Sequence, residues 1–255
     1  MSVIVDVFNA RTDNFGYLVH DTATGRTAAI DAPETAAIVS ALEMRGWELT
    51  DIFITHHHID HVEAIPELKA EFGARVVGPK AEADKIADLD VLVGGGDTVT
   101  LGETSFDIYD TPGHTLGHII FHDPVGKHLF SADALFSLGV GRMFEGTPGP
   151  MWDGVKLMRA LPDDTLVYCG HEYTASNAKF ALSVDPDNQA LQKRAAEVTA
   201  LRAAGKPTIP FNLGEDKAAN PFMRADDAGI ARHFGLEGAS PADVFAAIRK
   251  AKDNF

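Results

Sequence analysis

Apolar and polar positions change period repeatedly along the chain, and each change marks an element. Strand-like runs fall at Val3–Phe8, Tyr17–His20 and Thr27–Asp31, the last two joined through a turn at Thr24-Gly25. Glu34–Arg45 switches to a helical period that stops at Gly46. A strand over Asp51–Thr55, a helix over Val62–Phe72 and a strand over Arg75–Val77 follow. Gly94-Gly95-Gly96-Asp97 then marks a tight connection into strands Thr98–Leu101 and Ser105–Tyr109. Further strands are predicted at His118–His122, Lys127–Phe130 and Leu166–Cys169, with a helix near Met151–Ala160.

The pattern changes after about residue 174. Thr174–Ser183, Asn188–Ala204 and Ala242–Lys252 read as helices, Pro207–Asn220 as a loop, and no strand is predicted. Many strands interspersed with helices predict an α/β or α+β sandwich, its sheets covered by helices. The change of character places a domain boundary near residue 175, giving domains of 1–174 and 175–255.

Composition narrows the class. The chain has 255 residues, 45% of them hydrophobic and 23% charged, which is ordinary for a globular protein. No apolar run approaches the roughly 18–20 residues of a spanning helix, and Met1–Asp6 lacks the basic and apolar regions of a signal peptide. Cys169 is the only cysteine, so a reducing cytoplasm is the expected compartment. A net charge of −15 argues against nucleic acid. That charge is uneven: residues 1–174 carry 11 basic and 27 acidic side chains, residues 175–255 carry 11 and 10. Such a distribution suits a small anionic ligand and is equally compatible with chance.

The chemistry is concentrated in Thr55-His56-His57-His58-Ile59-Asp60-His61, directly after a predicted strand. Neutral imidazole and carboxylate suit zinc, iron or manganese. The spacing does not make one helical face and predicts an extended loop, with His56 and His58 pointing one way and Asp60 and His61 placed further on. Taken alone, a polar loop with adventitious metal affinity would explain it. Three further residues count against that: His114, Asp133 and His171 each follow a predicted strand, where open sheets gather functional groups. The remaining histidines, at 20, 118, 122, 128 and 233, read as ordinary strand, surface or core residues.

The segment at 55–61 resembles the Thr-His-x-His-x-Asp-His motif of the metallo-β-lactamase superfamily. Within it the chain is most similar to the glyoxalase II family, the hydroxyacylglutathione hydrolases. That resemblance comes from Gly141–Thr147, Cys169-Gly170-His171-Glu172-Tyr173-Thr174, Asn220-Pro221-Phe222-Met223-Arg224 and Arg249-Lys250-Ala251-Lys252-Asp253. It implies an αββα sandwich followed by a helical substrate-binding domain. It also implies two divalent metal ions, zinc first with iron or manganese as alternatives. His56, His58 and His114 would hold one ion, Asp60, His61 and His171 the other, and Asp133 would bridge them. His57 matches the variable position.

The implied reaction is hydrolysis of S-D-lactoylglutathione to glutathione and D-lactate, in methylglyoxal detoxification. A metal-bridging hydroxide would replace any side-chain nucleophile, and Cys169 reads as a packing residue. By motif position Arg142, Phe144, Tyr173, Arg249 and Lys252 would bind the substrate. The family often has Lys and Tyr where this chain has Arg142 and Phe144, so one hydrogen bond to substrate is lost. Ser240-Pro241 reads as an N-cap and first helical residue, which puts Arg249 and Lys252 on one face of a helix. Cations there would also complement the helix dipole without any ligand. The expected protein is a monomer with a small-molecule thioester substrate and no nucleic-acid or membrane partner. The competing readings are a persulfide dioxygenase, another hydrolase of the same fold, or a catalytically silent binding protein stabilised by metal. A seven-ligand set without cysteine points to catalysis, since structural zinc sites are closed four-ligand sites, often rich in cysteine.

Overall fold

Strands β1 (Val3–Ala10) and β2 (Asn14–Asp21) form an antiparallel hairpin in which Val3 faces Asp21 and Ala10 faces Asn14. β3 (Thr27–Ile30) continues antiparallel to β2. From there the sheet becomes parallel through β4 (Asp51–Phe53), β5 (Arg75–Pro79) and β6 (Val91–Val93). Parallel neighbours need crossovers: α1 (Thr35–Arg45) joins β3 to β4, and α2 (Ile59–Val62) with α3 (Ile65–Phe72) joins β4 to β5.

This computed structural model describes residues 3–255. It has two compact units, one made of residues up to 110 with 115–130, the other of 111–114 with 131–255. In the first unit, α1 and α3 bury Ile38, Leu42, Ile65 and Leu68 in one cluster with Leu18, Ile52 and Val76 of the sheet and Ile54 just beyond β4. A second run of strands consists of β7 (Thr98–Leu101), β8 (Thr104–Asp110), β9 (Ile119–Asp123) and the start of β10 (His128–Ala132), all antiparallel. The alternating burial of β7 and β8 shows one apolar face and one wetter face. The two runs meet through aromatic rings. Phe53 stacks on Phe121 at 5.3 Å and meets Phe106 edge-on at 5.7 Å, while Tyr17 meets Phe130 at 5.9 Å. Each fully buried phenylalanine contributes roughly 1.5–3 kcal/mol.

The second unit pairs β11 (Leu166–Cys169) antiparallel with β12 (Phe211–Asn212). Around them lie α4 (Pro148–Arg159), α5 (Thr174–Val184), α6 (Gln189–Ala203), α7 (Leu213–Ala219), α8 (Ala228–His233) and α9 (Pro241–Asp253). Phe222 touches Phe180 at 6.1 Å and Phe245 at 5.7 Å, and Trp152 of α4 packs on Phe245 of α9 at 5.9 Å. Ser240 caps α9 by accepting from Asp243 N, with Pro241 in its first turn, as expected.

Several expectations are corrected. The helix expected over Val62–Phe72 is two helices, because Pro66 suits a first turn and not an interior. Asp60 and His61 lie in α2, not on an extended loop. The expected loop Pro207–Asn220 contains β12 and α7, whose cap Asn212 accepts from Glu215 N. β6 and α8 went unassigned because three and six residues are too short to show a period. No helix among the described residues is long and apolar enough to cross a membrane.

His122 on β9 is buried, and its Nδ1 has no hydrogen-bond partner. Burial lowers its pKa below 6.5, against the opposing pull of Asp107 and Asp123. The unfolded chain therefore takes up a proton that the folded chain refuses. Stability is complete above 6.5 and falls as pH drops from there towards the lowered folded pKa. Denaturant unfolding of His122→Phe between pH 5 and 7 is expected to show a shallower loss than the parent. An identical slope would assign the acid sensitivity elsewhere.

Candidate metal centre

Beyond β4 the chain runs through Thr55-His56-His57-His58 without regular structure until α2 begins. A buried carboxylate holds this segment. Asp31 accepts from Thr55 N at 2.8 Å and from Thr55 Oγ1 at 2.9 Å, and lies 2.7 Å from His61 Nδ1. The backbone of Asp31 is left-handed, φ 58°, a conformation Asp tolerates better than most non-glycine residues. A proton on His61 Nδ1, donated to Asp31, would make Nε2 the candidate ligating atom, and carboxylate partners of this kind orient metal-binding imidazoles. His61 Nε2 lies 3.5 Å from Asp60 Oδ2, which itself accepts from Asn14 Nδ2 at 3.0 Å. The His56 ring is fully buried. Its Nδ1 meets Thr55 Oγ1 at 3.0 Å, and its Nε2 lies 3.1 Å from His58 Nδ1.

His57 is held differently. Its backbone N and its Nδ1 lie 2.7 and 2.8 Å from Glu82 Oε2. The other oxygen of Glu82, a buried residue, accepts from Thr115 Oγ1 at 2.5 Å and Gly117 N at 3.0 Å. Four donors thus tie the histidine-rich segment to the loop at 115–117, all within the first unit.

The second unit has a group of its own. His114 Nε2 and His171 Nε2 lie 3.3 and 3.5 Å from the same oxygen of Asp133. His114 Nδ1 is 2.8 Å from Arg142 O, which sets Nε2 as the side facing Asp133. Tyr173 stacks flat on His171, with centroids 4.8 Å apart and planes 4° from parallel. At Gly141 a Cβ would stand 2.0 Å from Asp133 O and 3.1 Å from His114 Nδ1, so only glycine lets the chain return this closely. Imidazole nitrogens and carboxylate oxygens, with ring partners already fixed, are a donor set that fits divalent metal ions.

The residues expected to bind substrate all lie in the second unit. Arg142 is more than half exposed, with its guanidinium 5.8 Å over the Phe144 ring and 3.5 Å from Asp253. Phe144 is exposed and meets His114 edge-on at 5.3 Å. Arg249 is buried, donates to Val140 O at 2.9 Å and Asp253 Oδ1 at 3.1 Å, and lies over Phe222. Lys252 donates to Ser176 Oγ at 3.0 Å, and burial followed by the like charge of Arg249 lowers its pKa. The Cys169 thiol is buried, and burial raises its pKa strongly. Sequence reasoning missed Asp31, Glu82 and Asp253. Asp31 had a signal, an acid at the end of an apolar strand; Glu82 sits in a short charged run that reads as surface.

The profile of the metallo-β-lactamase superfamily matches residues 11–171, and that of the hydroxyacylglutathione hydrolase C-terminus matches 172–255. ETHE1 from Myxococcus xanthus superposes with a TM-score of 0.69 at 27% identity, covering 97% of this chain and 90% of that one. TTHA1623 in a di-iron-bound form superposes at 0.55 with 26% identity, covering 66% of this chain and 91% of that one. Fold and donor set together define a metal-dependent hydrolase of the metallo-β-lactamase superfamily. A hydroxyacylglutathione hydrolase of Bradyrhizobium sp. (strain ORS 278) is 55% identical over 253 residues, 99% of each chain. The chain belongs to the hydroxyacylglutathione hydrolase family.

The Asp31 contacts predict a measurable dependence. Asp31→Asn removes the charged acceptor of His61 Nδ1, and metal affinity is expected to fall about 10–100-fold, the usual cost of such a partner. Chelator competition on the folded variant checks this. An unchanged affinity would mean that His61 needs no such anchor.

Proposed function

We propose that this chain hydrolyses S-D-lactoylglutathione, and related 2-hydroxyacyl glutathione thioesters, to glutathione and D-lactate in methylglyoxal detoxification. The observation that carries the reading is the full-length match to a hydroxyacylglutathione hydrolase, continuous through the C-terminal residues. We take 1–174 as the catalytic domain and 175–255 as the helical substrate-binding domain, working as a monomer in the cytoplasm.

His56, His58 and His114 would hold one divalent ion, Asp60, His61 and His171 a second, and Asp133 both. Zinc is the first choice, although the same donors accept iron or manganese; TTHA1623, 26% identical, has a di-iron-bound form. Two such ions lower the pKa of water towards 7 and act as Lewis acids on a carbonyl.

The chain's own residues supply the rest. Asp31 and Arg142 O fix the ring orientations of His61 and His114. Arg142 offers an exposed guanidinium suited to a glutathione carboxylate. Phe144 and Tyr173 give partly exposed aromatic surface beside His114 and His171. Arg249 and Lys252 add positive charge, both already hydrogen-bonded within the protein, so they act on a carboxylate through charge as much as through contact. Cys169 takes no part in bond formation, since a buried thiol with a raised pKa yields little thiolate.

Thiol release from S-D-lactoylglutathione, before and after metal removal, tests the reading. Rapid, metal-dependent release is expected, while silence from metal-loaded protein would refute the substrate. Asp133→Ala is expected to abolish turnover. Arg142→Ala is expected to raise KM about tenfold, or roughly 1.4 kcal/mol of binding, with kcat little changed; an unchanged KM removes Arg142 from the substrate site.

A further inference from the structure

The segment from Asp133 to Arg142 leaves a candidate metal ligand and returns to it. Gly141 passes against Asp133 O, and Arg142 O accepts from His114 Nδ1. Between these points the chain forms a tight loop, with Phe136 and Gly139 exchanging backbone hydrogen bonds at 3.1 Å and Leu138 left-handed at φ 60°. A loop of this kind has little regular pairing of its own. Polar atoms of residues 137–140 are met from outside by the C-terminal helices or their connections, while Leu135 O accepts from Ser131 Oγ of β10.

Asp216 of α7 accepts from Leu138 N at 2.8 Å and from Ser137 Oγ at 3.3 Å. Asn220, the residue after α7, donates to Gly139 O at 3.1 Å and to Asp216 Oδ2 at 2.8 Å, while its own oxygen accepts from Phe222 N. Asn177 of α5 donates to Ser137 O at 3.2 Å, and Arg194 of α6 reaches Ser137 Oγ at 3.3 Å. Arg249 of α9 closes the set on Val140 O. All five side chains are at most 8% exposed. Gly139 approaches so closely that a Cβ would stand 2.6 Å from Asn177 Nδ2.

Burial of five polar side chains is unfavourable unless each is satisfied, so this convergence is a considerable investment in one loop. Burial raises the Asp216 pKa to about 6, with donation from Asn220 and Leu138 and the charge of Arg194 restraining the rise. Removing one member strands its partners in a low-dielectric interior, which is the costly way to lose a hydrogen bond. Their hydrogen bonds to the loop fall on residues 136–140. Their effect passes through the loop's return at Gly141 and Arg142 to Asp133 and His114.

We propose that Asp216 and Asn220, with Asn177, Arg194 and Arg249 around them, are positioning residues for the metal centre. The C-terminal helices would thereby hold the loop that sets Asp133 and His114, besides any contact with substrate. The Asn220–Arg224 segment, singled out in the sequence, thereby acquires a part that needs no contact with substrate. This rests on the metal assignment of the proposed function and is independent of the thioester.

The test is zinc retention by the full-length zinc-loaded protein under chelator challenge. Asp216→Asn and Asn220→Ala are compared with the parent and with Val198→Ala, a buried core truncation elsewhere on α6. Circular dichroism and thermal unfolding verify the fold of each. Asp216→Asn and Asn220→Ala are expected to lose zinc about tenfold faster or more, whereas Val198→Ala retains it despite a lowered Tm. Parent-like retention in folded Asp216→Asn and Asn220→Ala would overturn the proposal, as would equal zinc loss in Val198→Ala. Should both fail to fold, Asn177→Ala, which removes only the donor to Ser137 O, decides: loss about threefold faster supports the clamp, and unchanged loss refutes it. A protein with clamp-dependent zinc retention and no thiol release from S-D-lactoylglutathione would refute the substrate and leave this inference standing.

Discussion

A carboxylate buried away from water must collect hydrogen-bond donors, and in this protein it collects them from the loops that carry the candidate ligands. Asp31 shows the principle most clearly. It lies one residue beyond β3, is 6% exposed, and gathers Thr55 N, Thr55 Oγ1 and His61 Nδ1. Leaving any of those donors unmet in the interior costs about 1–3 kcal/mol, so the histidine segment has one good arrangement and several poor ones. An irregular stretch after a strand is thereby given the precision that metal ligation demands.

Glu82 and Asp216 repeat the device with different partners. Glu82 binds the backbone and ring of His57 to Thr115 and Gly117 in the first unit. Asp216 takes Leu138 N, Ser137 Oγ and Asn220 Nδ2 in the second. Each uses both oxygens, and each joins segments distant in sequence. Such residues are expensive if half satisfied and rigidifying when fully satisfied. The apolar core supplies bulk stability through Phe53, Phe106 and Phe121 in one unit and Phe222 and Phe245 in the other. That core is not directional. The directional information resides in the buried acids.

The histidines are therefore tuned through their second nitrogen. His61 is referred to Asp31, His56 to Thr55, and His114 to the carbonyl of Arg142. Tyr173 stacks flat on His171. A hydrolase with so many imidazole donors needs each ring fixed in tautomer and in plane, and backbone, carboxylate and aromatic partners all serve. Arg142 unites two tasks, since its carbonyl orients His114 while its exposed guanidinium faces outward.

Read without coordinates, the chain already showed its candidate ligands, because His56–His61, His114, Asp133 and His171 each follow a run that reads as a strand. Short apolar runs, such as Leu166–Cys169, and capped helices, such as that begun by Ser240-Pro241, were equally legible, since their determinants are local. Short elements were not: β6, β12, α7 and α8 lack the length to establish a period, and their form depends on neighbours. Nor could the sequence show that Arg249, read as a substrate-binding or dipole-complementing cation, is buried against Phe222 and bound to Val140 O. The roles of Asp31, Glu82 and Asp216 were hidden for the same reason. An acidic residue in sequence looks like solvated charge, and only the folded chain reveals which few acids are taken out of water and must be answered by donors far along the chain.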